Sequence, residues 1–112
     1  MRHFTTAVLE RHASLSGHFE TEPFETGWAS EAIFFIRAEE ITGENPLLHA
    51  RVQLSADGIH WIDEGTAFEA ITARGDYFVR VTHFGGWLRL AGQVNGGEEN
   101  RFEATIHLVL KE

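Results

Sequence analysis

The chain has no cysteine, and its 112 residues include only two prolines and one methionine. Without thiols it can form neither disulfides nor thiolate metal sites, so its stability must come from a packed core. At this length a single domain buries roughly 65% of the surface its unfolded chain exposes, enough for a core without covalent staples. Basic residues are also scarce: nine lysines and arginines stand against seventeen acids, a net charge of −8. Such a field repels phosphate backbones and anionic lipid, which argues against nucleic acid and membranes as partners. No run approaches the roughly 18 apolar residues of a membrane span, and no apolar run of about 7–15 residues follows Arg2, so no signal peptide is expected. A helical period is missing as well; no stretch of about ten residues repeats its apolar positions every three or four.

What is present is alternation. Ala32, Phe34, Ile36 and Ala38 share one face of an extended segment and Ile33, Phe35, Arg37 and Glu39 the other, the two-sided apolar pattern of an inner strand. Leu48, Ala50, Val52 and Leu54 alternate with His49, Arg51 and Gln53. The turn Ser55-Ala56-Asp57-Gly58 then predicts a hairpin pairing Leu54 with Ile59 and Val52 with Trp61, placing the indole in the core. Residues 67–72 read as a short strand. The last strand, through Phe102, Ala104, Ile106, Leu108 and Leu110, alternates most regularly. Residues 1–30 alternate weakly and predict edge strands or an arm ordered against a neighbour; residues 31–112 carry the sandwich core.

Between Tyr77 and Val94 two strand-like runs flank Gly85-Gly86, which can take the positive φ angles of a two-residue hairpin turn. As a hairpin, this stretch puts Tyr77, Val79, Val81, Leu88, Leu90 and Val94 on the core face and Phe78, Arg80, Thr82, Phe84, Trp87, Arg89 and Gln93 on the other. Two three-stranded meanders, residues 31–64 and 77–110, then pack face to face. The expected fold is an all-β, antiparallel, jelly-roll-like β-sandwich of roughly seven to nine strands in one domain, with Phe34, Val52, Trp61, Val79, Val81, Leu90, Ile106 and Leu108 in the core.

The run from Leu47 to Asp63 with its Ser-x-Asp-Gly-x-x-Trp, followed by Tyr77-Phe-Val-Arg-Val81 and the closing 102–110 strand, resembles small β-sandwich proteins of bacteriophage and prophage structural gene clusters. The resemblance spans about residues 31–110, and its motifs are structural: a turn, a tryptophan and an inner strand. It implies a virion accessory protein acting as a homo-oligomer or with another structural protein, located in the virion or in the bacterial cytoplasm before assembly.

Catalytic patterns are sparse. The seven histidines are scattered, with no H-x-H pair and no helical H-E-x-x-H, so neither a metal nor a cofactor is expected. The pairs Glu39-Glu40 and Asp63-Glu64 lie on strands, where neighbours point to opposite faces and cannot converge as a glycosidase dyad by themselves. The four serines lack a G-x-S-x-G elbow, and neither glycine pair opens a helix that could cradle phosphate, so no enzyme is expected. In Arg74-Gly75-Asp76, Gly75 is read as the turn and Asp76 as a strand start.

The outward face of the 77–94 stretch is the stronger candidate. Arg80 and Arg89 are expected diagonally across from each other beside a Phe84–Trp87 pair, where two like charges need an anion. A carboxylate of a neighbouring subunit would supply it, with Ile33 and Phe35 as further contact residues. The same aromatics could stack on a sugar ring, which gives a carbohydrate-binding module as the alternative.

Overall fold

A computed structural model describes residues 4–112 and shows nine strands and no helix: β1 (Phe4–Leu15), β2 (Gly17–Glu20), β3 (Phe24–Glu25), β4 (Glu31–Thr42), β5 (Leu48–Ser55), β6 (Ile62–Ala67), β7 (Gly75–Thr82), β8 (Trp87–Val94) and β9 (Arg101–Lys111). They form two antiparallel sheets. The first runs β1-β9-β4-β7; the second runs β2-β8-β5-β6, with β3 pairing β8 beyond the end of β2. The pairings are nested: β1 with β9, β2 and β3 with β8, β4 with β7, β5 with β6. The chain is in effect one long hairpin, tipped at the β5–β6 loop and rolled so that successive pairs fall in opposite sheets. Rolling adds the β9–β4 and β8–β5 ladders that complete each sheet, and the result is a jelly roll.

The alternating residues meet between the sheets. Phe34 and Ile36 of β4 and Phe102, Ile106 and Leu108 of β9 face Val52 of β5 and Leu88 and Leu90 of β8, all fully buried. Val81 is buried with them, and Val79 packs against the cluster. Buried side-chain nitrogen and oxygen atoms all have hydrogen-bond partners among the described residues. Asn100, for example, accepts from Glu44 N–H and donates to the Asn95 carbonyl, tying two loops together.

Three expectations need correction. First, 77–94 is not a hairpin: β7 lies in the first sheet and β8 in the second, and residues 83–86 cross between them. A hairpin and a crossover bury the same alternate residues. In one case Val81 and Leu90 lie side by side in a sheet; in the other they face each other across the core, and alternation cannot tell the two apart. His83 (φ 57°) and Gly86 (φ 72°) turn the chain, and the Gly86 carbonyl accepts from both the amide and the hydroxyl of buried Thr26. A Cβ on Gly86 would strike the Ser55 carbonyl.

Second, the two meanders do not exist: β4 lies in the first sheet while β5 and β6 pair in the second, and β7, β8 and β9 switch sheets at each step. Residues 67–72 are not a separate strand; past Ala67 the chain follows the β5 edge through Phe68 N–H to the Ala50 carbonyl and a Leu48–Ile71 bridge. Third, Trp61 is outside the core. Leu54 pairs with Ile62 rather than Ile59. The loop is longer because the Asp57 carboxylate accepts from the amides of Ile59 and His60 while Ser55 Oγ accepts from those of Asp57 and Gly58.

Candidate functional site

Rolling the chain separates the six residues expected at one site. Arg80, Ile33 and Phe35 stand on the outer face of the first sheet. Trp87 and Arg89 stand on the outer face of the second, on the other side of the molecule. Phe84, in the crossover, packs against the core instead of pairing with Trp87.

The first-sheet face is assembled by register. Residues opposite one another in antiparallel strands share a face, so one row reads Thr6, Val109, Ile33, Arg80 and the next Val8, His107, Phe35, Phe78. The result is an apolar band crossing all four strands, with Phe78 50% and Val8 41% exposed. The Phe35 and Phe78 ring centroids are 6.0 Å apart, and the Arg80 guanidinium lies 4.9 Å from the Phe78 centroid. Beside the band, Thr6, Phe35, Arg37, Asp76, His107 and Val109 line a groove of about 330 Å³. Arg37 Nε donates to Asp76 Oδ1 at 2.8 Å, and β7 begins at Gly75, so Asp76 belongs to a strand start.

The second-sheet face is polar and internally paired. Arg89 Nε donates to Gln53 Oε1 at 2.9 Å and Nη2 to Glu20 Oε2 at 3.0 Å, while the Trp61 ring covers the guanidinium at 4.2 Å. Gln53 Nε2 and Arg51 Nε both donate to Asp63 Oδ1, which holds the Asp63 carboxyl below its ordinary pKa, the Gln53 hydrogen bond being the larger cause. Trp87 lies against Gly58 of the β5–β6 loop. Arg89 therefore meets an acid of its own chain.

A third cluster escaped the sequence reading. His12, Glu39 and Glu103, from the adjacent strands β1, β4 and β9, bring one ligand atom each to within 4.8 Å of one another. His12 Nδ1 and Glu39 Oε1 are 2.9 Å apart, and this contact is the main cause holding the Glu39 carboxyl below its ordinary pKa. The second carboxylate of the cluster is Glu103, from across the ladder. Irregularities between Val8 and Ala13 in β1 and between Ala38 and Glu40 in β4 align the three groups, and alternation alone does not reveal them. No family model, no curated protein and no solved structure matches this chain.

Proposed function

We propose that this jelly roll is a non-enzymatic assembly protein that packs the outer face of its first sheet against a second copy of the chain. The observation that carries the reading is the apolar band of Val8, Val109, Ile33, Phe35 and Phe78, which crosses every strand of that sheet. Contiguous exposed apolar surface rimmed by charge is what protein contacts use. The charge distribution favours a second copy as the occupant. Two chains of net charge −8 repel each other over most of their surface, yet beside the band Arg37, Arg80 and Lys111 offset Glu31 and Asp76. A two-fold contact through this face lets the cations of each copy meet the acids of the other. The role of virion accessory protein of phage or prophage type is proposed on the sequence motifs alone.

The test is solution mass by sedimentation. The wild-type chain is expected at a multiple of 12.6 kDa, and Phe78→Glu is expected to reduce it to the monomer with an unchanged β-sheet circular dichroism spectrum. A wild-type monomer at tens of micromolar overturns the reading.

One observation favours a second reading, glycan binding. Trp61 and Trp87 both lie on the second-sheet face around Arg89, where an indole and a fixed polar network could hold a sugar ring. In that case saccharide shifts the tryptophan fluorescence, and Trp87→Ala removes the shift.

A further inference from the structure

We infer that His12, Glu39 and Glu103 form a binding site for a divalent transition-metal ion, a function separate from the apolar contact. The donor set is one imidazole nitrogen and two carboxylate oxygens, with no thiolate. Imidazole suits zinc and its first-row neighbours rather than magnesium or calcium, which take oxygen ligands throughout.

The three side chains are built into the sheet rather than gathered on a loose loop. Each comes from a different strand, and β9 lies between the other two in the ladder. Thr105 of β9, only 7% exposed, orients two of them. Its hydroxyl donates to Glu39 Oε2 at 3.0 Å and accepts from the His12 amide at 3.1 Å. The first bond turns Glu39 Oε1 toward His12 Nδ1; the second fixes the backbone that carries the imidazole. This is the role outer partners play around metal ligands, setting ligand orientation before the ion arrives.

The distances are close to what zinc needs. Tetrahedral coordination at about 2.0–2.1 Å places ligand atoms roughly 3.3–3.4 Å apart. The 2.9 Å His12–Glu39 contact must open slightly, and the exposed Glu103 side chain, whose carboxylate already lies within 4.8 Å of both, needs only a small adjustment to reach that spacing. Among the described residues Glu103 makes no ion pair that would hold it back. Three protein ligands leave a fourth position open to water or to a group from another molecule.

The experiment is calorimetric titration of the untagged protein with Zn²⁺, with Co²⁺ absorption as a second readout of coordination. One ion per chain is expected, with an affinity on the order of 10 μM. His12→Ala and Glu103→Gln should each weaken it at least about tenfold, as should Thr105→Val acting through orientation. His18→Ala, which removes a histidine on the second sheet, should leave it unchanged. Circular dichroism on each variant separates loss of the site from loss of the fold. Absence of saturable binding up to about 1 mM, or stoichiometric binding that survives both His12→Ala and Glu103→Gln, overturns the site.

Discussion

Phe34 and Trp61 are both large aromatic residues on or beside apolar strands, yet they bear very different loads. Phe34 is fully buried between the sheets, so Phe34→Ala should cost about 3–5 kcal/mol in chemical denaturation, as truncation in a close-packed core does. Trp61 lies over the Arg89 guanidinium on an outer face, and Trp61→Ala should cost only about 1–2 kcal/mol, the range of a partly desolvated cation–π contact with its covered area. Equal costs would contradict this placement. Asp57 makes the difference, because its carboxylate lengthens the loop and carries Trp61 past the core register. That carboxylate is held well below its ordinary pKa, first by the His60 amide, then by the His60 side chain, the Ile59 amide and Ser55. A lowered folded-state value means the unfolded chain binds a proton more readily. The contribution is therefore complete above the ordinary carboxylate range and is lost as pH falls through the folded value. Asp57→Asn should lower the melting temperature at pH 7, and the gap from wild type should begin to narrow only below about pH 4 and keep shrinking as the pH falls further. A gap independent of pH would mean that loop geometry, not charge, is responsible.

Among elements, inner strands differ from edges. β9, β4, β8 and β5 pair on both sides, whereas β6 pairs only with β5, is interrupted by Gly65 at φ 115°, and shifts register between Arg51 and Gln53. Amide hydrogen exchange should be slowest in the four inner strands and fastest in β6, since local opening begins where few neighbours hold the backbone. Protection of β6 equal to that of β9 would point to a partner on that edge. These elements also show what the sequence made legible. The inner character of residues 31–40 and the buried faces around Val52, Leu90 and Ile106 followed from two-residue alternation, because burial depends only on which side of a strand a residue occupies. Which strand lies beside which depends on the path of the turns. Gly85-Gly86 says that the chain can turn there, not whether it returns within one sheet or crosses to the other. The same ambiguity scattered the candidate site: Arg80 and Arg89 were expected together only because β7 and β8 were read as neighbours. The His12, Glu39 and Glu103 cluster was hidden because bulges break the very period used to assign faces.

For the whole molecule, the Cα extents of 46 × 28 × 20 Å describe a plate whose thin dimension is two sheets with their cover. Its broad sides are the two outer sheet faces, and they offer the largest areas for a contact. The two arginines now separate these faces. Arg80 stands exposed over Phe78 on the apolar side, while Arg89, whose side chain is 15% exposed, is engaged by Glu20, Gln53 and Trp61 on the polar side. Arg80→Glu should therefore lower the mass of the assembly while leaving monomer stability within about 0.5 kcal/mol. Arg89→Glu should do the reverse. It sets two carboxylates side by side and removes the group beneath Trp61, so the fold should lose roughly 2–3 kcal/mol, allowing for the partial exposure of Glu20, with the mass unchanged. Salt should soften the Arg80 effect only modestly if the contact desolvates that guanidinium, since buried pairs are screened less than exposed ones. If Arg89→Glu alone changed the mass, the contact would lie on the polar sheet, and the apolar band would need a different occupant.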